Sequence, residues 1–180
     1  DFDQHGVYDI PFWASDGYAT GVTTFHLTVT NVNGAPVFDQ LDGWNVVEGG
    51  RIDFRAFALD PDNPGYFPPD RLANGDLTPL EGSNASVTIT AQGLPAGATF
   101  DADTWLFNWT PGYTQAGQYT LHLTATDDGD GTGVALVTTV DVPITVYNAN
   151  RAPVVAPIAN VTVDRGQSVD IPLFMSDPDG

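Results

Sequence analysis

Apolar and polar residues alternate along most of this chain. In residues 119–127, Tyr119, Leu121, Leu123 and Ala125 occupy every second position, with Thr120, His122, Thr124 and Thr126 between them. Successive strand side chains point to opposite faces, so this is the pattern of a half-buried antiparallel strand. The same period puts Trp105, Phe107 and Trp109 on one face of residues 104–110, a strand that Pro111 and Gly112 end. Upstream, Tyr8, Ile10, Phe12 and Ala14 mark a strand over 7–14, and Thr23, Phe25, Leu27 and Val29 mark another over 21–31, joined by a turn at 15–19. Ala35-Pro36 opens a further strand. Ile52, Phe54, Ala56 and Ala58 face inward over 51–58, Val87 begins a strand over 87–91, residues 94–97 form a turn, and Val140, Val142, Ile144 and Val146 face inward over 135–147. Residues 66–83, rich in Pro, Gly, Asn and Asp, read as a long loop. No segment carries a helical period.

Two self-matches organise these elements. Tyr8, Ile10, Phe12, Ala14 and Asp16 align with Tyr119, Leu121, Leu123, Ala125 and Asp127 at a constant offset of 111. NGAPVF at 33–38 aligns with NRAPVV at 150–155, and LDPDN at 59–63 with SDPDG at 176–180, both at an offset of 117. Fixed-period self-similarity marks a tandem array. The chain therefore divides into the final strands of one repeat (1–32), a whole repeat (33–149) and the first strands of a third (150–180), so both ends read as cut. About seven short strands per repeat without helix predict an all-β, immunoglobulin-like antiparallel β-sandwich.

Composition adds a sign. Asp and Glu number 23 against 5 Lys plus Arg, for a net charge of −18; all five basic residues are Arg, and 21 of the acids are Asp. Such a surface repels nucleic-acid phosphates and anionic lipid, which argues against both partners and leaves cations as the counter-charge. There is no Cys, hence no disulfide or thiolate site, and His5, His26 and His122 are scattered without metal-ligand spacing. No apolar run approaches the length of a membrane span. Asp127, Asp128 and Asp130 cluster at the end of the strand over 119–127, and Asp60-Pro61-Asp62 closes the strand over 51–58.

The segment LPAGATFDADTWLFNWTP…QAGQYTLHLTATDDG at 94–129 resembles the bacterial immunoglobulin-like and cadherin-like tandem repeats of large surface and secreted proteins. Tyr119-x-Leu-x-Leu-x-Ala125-x-Asp127, a final strand and Asn148-x-Asn150-Arg-Ala-Pro153 also resemble the end of a cadherin repeat and its linker. The resemblance implies a non-catalytic structural or adhesion repeat, extracellular or on the cell surface, with Ca²⁺ at the junctions between repeats. Its ligands would be Asn31, Asn33, Asp60, Asp62 and Asp127 at the first junction, and Glu48, Asn148, Asn150, Asp177 and Asp179 at the second. Asp128 and Asp130 have no counterpart in that pattern and read as turn residues. Carboxylates in Asp-x-Asp turns, with amide and carbonyl oxygens, match the six to eight oxygens that Ca²⁺ prefers. The linkers carry Asn where cadherins have more Asp, and residues 110–118 lack the acidic Asp-Arg-Glu element.

Other chemistry was weighed on the same residues. Asp101 and Asp103 have the spacing, and no more, of a glycosidase acid pair. Exposed Trp13, Trp44 and Tyr113 could stack on sugar rings, making a carbohydrate-binding module the alternative function, with polysaccharide as partner. Three sequons begin at Asn84, Asn108 and Asn160. Partners expected from the array are neighbouring repeats and, through the edges of the incomplete ones, homophilic or strand-swapped copies.

Overall fold

The computed structural model describes residues 4–79 and 85–179; the end of the loop over 66–83 and the Asn84 sequon position lie outside the described residues. Strand follows strand in the order β1 (Gly6–Ser15), β2 (Thr20–Val29), β3 (Val37–Phe38), β4 (Trp44–Val47), β5 (Ile52–Arg55), β6 (Ala58–Leu59) and β7 (Val87–Gln92). After these come β8 (Thr99–Asp101), β9 (Leu106–Trp109), β10 (Gly117–Asp127), β11 (Val137–Tyr147), β12 (Val154–Val155) and β13 (Met175–Ser176).

The central sandwich faces two sheets, β4-β11-β10-β7 and β5-β9-β8, with β3 and β6 paired at the edge. The period-two pattern explains why they close on each other. Leu121, Leu123 and Ala125 of β10 and Val142 and Ile144 of β11 are at most 1 % exposed, and the register sets Leu121 opposite Val142. From the second sheet come Ile52, Phe107 and Trp109, equally buried. Burying one such side chain contributes about 1.5–3 kcal/mol, so this shared layer dominates the stability of the repeat. Rings interlock within it: Phe54 lies 5.1 Å from Phe107, and Trp109 meets Tyr119 edge-on at 5.0 Å. The Trp109 indole N–H donates to the Ala96 carbonyl at 3.2 Å, so its one polar atom is also satisfied.

Three local expectations are altered. The run over 51–58 keeps its inward alternation but splits, β5 pairing with β9 and β6 with β3. At the break, Ala56 N–H donates to the Trp105 carbonyl, so the chain changes partner without leaving an unpaired amide. β4 has no counterpart among the expected strands, and it pairs with β11 in parallel, so the sandwich is antiparallel with one parallel edge. Trp105 is buried as expected but lies before β9 in a turn, at a φ of 58°. Its ring is held by the edges of Phe57 and Tyr66, each at 5.8 Å. That packing offsets the roughly 1–3 kcal/mol a non-glycine residue costs in the left-handed region.

Outside the sandwich, β1 and β2 form their own hairpin, and β12 and β13 another short pair. The two aligned copies share more than sequence. Tyr8 Oη donates to the Gln4 carbonyl at 3.0 Å, and Tyr119 Oη to the Gln115 carbonyl at 2.8 Å, each reaching four residues back across a glycine of extended positive φ. The burial differs sharply: Tyr8, Ile10, Phe12, Phe25, Leu27 and Val29 are all exposed, whereas the β10 counterparts Leu121 and Leu123 are sealed.

Candidate functional site

The first junction is assembled by β10, the β10–β11 loop, the linker after β2 and the turn after β6. β10 ends in Asp127, which continues the inward face of Leu121, Leu123 and Ala125 and is 5 % exposed. A carboxylate buried there must be held by donors. Its Oδ1 accepts from Gly129 N–H at 2.8 Å, Leu136 N–H at 3.0 Å and Asn33 Nδ2 at 3.0 Å. The turn after β6 supplies Asp60 and Asp62, 2 % and 9 % exposed. Asp60 Oδ1 accepts from Asp62 N–H at 2.9 Å, and Asp62 Oδ2 from Gly34 N–H at 2.6 Å. Asn31 Nδ2 donates to the Asp130 carbonyl at 2.5 Å, and Asn33 Nδ2 also to the Val134 carbonyl at 3.0 Å.

Other oxygens of these residues have no such partner. Asn31 Oδ1, Asn33 Oδ1, Asp62 Oδ1, Asp127 Oδ2 and Asp130 Oδ2 are buried without a hydrogen-bond partner. Buried polar groups are almost always paired, so these five orphaned acceptor oxygens are the atoms that a donor or a cation would satisfy. Charge repulsion is already felt: burial pushes the Asp60 carboxyl above the ordinary aspartate value, and the neighbouring carboxylates of Asp62 and Asp127 push the same way, against the opposing Asp62 N–H. Such an oxygen-only set suits a hard cation. Among the described residues no three His, Cys, Asp or Glu side chains make a metal cluster by themselves; here the amide oxygens of Asn31 and Asn33 are part of the set.

Of the expected ligands, Asn33 meets Asp127, Asp62 meets the main chain at Gly34 and is linked to Asp60 through its own amide, and Asn31 meets the Asp130 carbonyl. Asp130 lies in a turn as expected, and in addition its carbonyl accepts from Asn31 and its Oδ2 is one of the unpaired oxygens. Its φ of 44° turns it back toward Asn31, while Asp128 does cap the turn by accepting from Asp130 N–H at 2.9 Å. The available signal was the Gly129-Asp130-Gly131 spacing, which permits such a reversal.

The second junction is built differently. Glu48, 4 % exposed, has both oxygens engaged by main-chain amides. Oε1 accepts from Gln115 at 2.8 Å and Ala116 at 2.7 Å, and Oε2 from Ala149 at 3.0 Å. Asp177 Oδ1 accepts from Asp179 N–H at 3.0 Å, as Asp60 does from Asp62. Asn150 Nδ2 reaches the Arg151 carbonyl at 3.3 Å, and Asn148 is exposed. Both oxygens of Asp179 are taken by Arg151, whose amide and guanidinium hold its carboxyl below the ordinary range.

The remaining candidates are dispersed. Trp13 is openly exposed on β1, Trp44 stacks on Phe54 at 5.4 Å, and Tyr113 lies under the Arg151 guanidinium at 3.9 Å. They stand on three different elements, with no ring contact among them in the described residues. Asp101 and Asp103 are both bound by Arg71, at 2.7 and 3.0 Å. The guanidinium holds the Asp101 carboxyl well below the usual range, the opposite of the raised proton donor that glycoside hydrolysis requires. His26 and His122 lie on outer faces, opposite Asp9 and Asp141.

Residues 63–143 match the family model He_PIG, described as Putative Ig domain. Among solved structures, the protocadherin gammaB4 extracellular domain is similar at 18 % identity and a TM-score of 0.51, over 98 % of this chain and 30 % of that one. Mouse cadherin-23 EC22-24 is similar at 16 % identity and a TM-score of 0.48, over 83 % of this chain and 44 % of that one. An endo-fucoidan hydrolase from glycoside hydrolase family 107 is similar at 22 % identity and a TM-score of 0.43, over 82 % of this chain and 19 % of that one. The chain thus spans less than half the length of each. No curated protein matches it. The fold is thus an immunoglobulin- and cadherin-like β-sandwich, with the family match confined to residues 63–143. Among the described residues no helix is long and apolar enough to cross a membrane.

Proposed function

We propose that this chain is a non-catalytic structural and adhesion segment of an extracellular multi-domain protein, in which Ca²⁺ at the first junction fixes the angle between repeats. The observation that carries this is the set of five buried, unpaired oxygens of Asn31, Asn33, Asp62, Asp127 and Asp130. These residues come from the linker, the turn after β6 and the end of β10, so an ion held by them would tie residues 1–32 to the sandwich. The cadherin-like architecture is the setting in which such a junction has mechanical use. The proposed division into 1–32, 33–149 and 150–180 is supported by the separate pairing of β1-β2 and of β12-β13.

The test is thermal melting in Ca²⁺ and in chelator. An ion that binds only the folded state stabilises it by about 2.7 kcal/mol at a hundred times its Kd. Melting temperature is expected to rise with Ca²⁺ in the wild type and to be insensitive to it in Asp62→Asn/Asp127→Asn. Identical wild-type melting under both conditions sinks the reading.

A further inference from the structure

The two junctions share part of a backbone plan, and one of the aligned positions at which they differ, Gly34 against Arg151, differs by a charge. Offset by 117, Gly34 corresponds to Arg151, Asp60 to Asp177 and Asp62 to Asp179. The main-chain bond is the same in both: Gly34 N–H donates to Asp62 Oδ2 at 2.6 Å, and Arg151 N–H donates to Asp179 Oδ2 at 2.5 Å. The other oxygen has opposite fates. Asp62 Oδ1 is buried and unpaired, whereas Asp179 Oδ1 accepts from Arg151 Nε at 2.6 Å. The same guanidinium donates through Nη2 to the Pro178 carbonyl and lies 3.9 Å from the centre of the Tyr113 ring.

Those contacts connect the two sides of the junction. Asp179 and Pro178 follow β13, whereas Tyr113 belongs to the sandwich, in the loop between β9 and β10. Tyr113 is itself backed by the Glu48-Gly49 turn: a Cβ on Gly49, at a φ of 78°, would lie 2.9 Å from the Tyr113 hydroxyl. Glu48 cannot contribute a free carboxylate, because its oxygens accept three main-chain amides. A guanidinium with a carboxylate on one edge and an aromatic face beneath it is a fixed cation with oriented donors.

We propose that Arg151 closes the second junction in place of a metal ion, so that one chain carries a calcium-set joint at 31–33 and a calcium-independent, arginine-latched joint at 148–151. The inference rests on the calcium reading of the first junction only for the contrast; the latch stands by its own contacts. The neighbouring repeats are then coupled unequally. Withdrawing Ca²⁺ loosens the first joint and leaves the second closed.

Calcium uptake by the 180-residue chain, measured by isothermal titration with CaCl₂, tests the contrast. Wild-type uptake is expected to be lost in Asp62→Asn and unchanged in Asp179→Asn. Arg151→Gly is likewise expected to leave that uptake unchanged, since Arg151 contacts Asp179, Pro178 and Tyr113 and none of the first-junction residues. Loss of wild-type uptake on Asp179→Asn or on Arg151→Gly overturns the proposal. A second arm needs no calcium. In chelator, amide hydrogen exchange at residue 151 is expected to be about tenfold slower in the wild type than in Arg151→Gln, and equal rates overturn the latch. Absence of any wild-type uptake, with that protection intact, overturns the calcium reading and upholds the latch.

Discussion

At the scale of single residues, the most informative group is Asp60, a carboxyl whose folded value is raised by burial. Its sign is the reverse of the usual salt-bridged aspartate. Between its unfolded value and its raised folded value the native state binds more protons than the unfolded one, so metal-free stability falls as pH rises through that interval. In chelator, Asp60→Asn, which keeps the oxygen that accepts from Asp62 N–H, is expected to melt above the wild type at about pH 7. The gap should narrow as pH falls through the raised folded value and close below the unfolded value, where Asp60 is protonated in both states. With Ca²⁺ present the order is expected to reverse at neutral pH, because an ion held as proposed would neutralise the charge that the substitution removes. Melting curves of both proteins across that range decide it. Asp101 has the opposite sign: its depressed value makes its Arg71 contact a source of stability that is retained above the unfolded value and lost only in stronger acid. The sequence marked Asp60 as a candidate ligand through the Asp-x-Asp spacing, but the raised affinity for a proton comes from burial beside Asp62 and Asp127.

At the scale of elements, β10 is the axis of the repeat. It pairs with both β7 and β11 and delivers Asp127 to the junction. Leu123, fully buried at its centre, should cost about 2–5 kcal/mol when truncated to Ala, read as a shift of the urea midpoint without a change of slope. Gly93, just past β7, has a φ of 75°, and a Cβ there would come within 2.7 Å of the Thr120 carbonyl. Gly93→Ala is therefore expected to destabilise by about 1–3 kcal/mol in the same assay, although Gly→Ala at a permissive site would stabilise. The strands β1, β2, β7, β10 and β11 were legible because each runs long enough for the two-residue period to stand out. β4 was not, since four residues carry too little pattern and its partner, β11, lies far along the chain. The break between β5 and β6 was hidden for a different reason: inward alternation continues through Ala56 and Ala58 while the hydrogen-bonding partner changes.

At the scale of the whole molecule, the β1–β2 hairpin keeps the alternation of β10 without its burial. The face of the β1–β2 hairpin made by Tyr8, Ile10, Phe12, Phe25, Leu27 and Val29 is open to solvent, and contiguous apolar surface of this kind promotes association. The 180-residue chain is expected to self-associate at high concentration in light scattering, and Phe12→Asp/Phe25→Asp to abolish it while leaving the melting of the sandwich unchanged. A wild type that stays monomeric would show that the hairpin face is not a contact surface.

The sequence by itself determined the all-β class, the repeat offsets, the inward faces and most of the first junction, because alternation and turn chemistry are local properties that a period of two records directly. The tertiary structure decided which acids share a site and which are neutralised. Asp130 joined Asn31 only when the β10–β11 loop folded back. Glu48 proved to be a clamp on three amides. Asp179, whose spacing from Asp177 matches that of Asp62 from Asp60, proved to be occupied by Arg151. Whether a carboxylate oxygen is free depends on what the folded chain brings within about 3 Å of it, and spacing along the chain does not encode that distance.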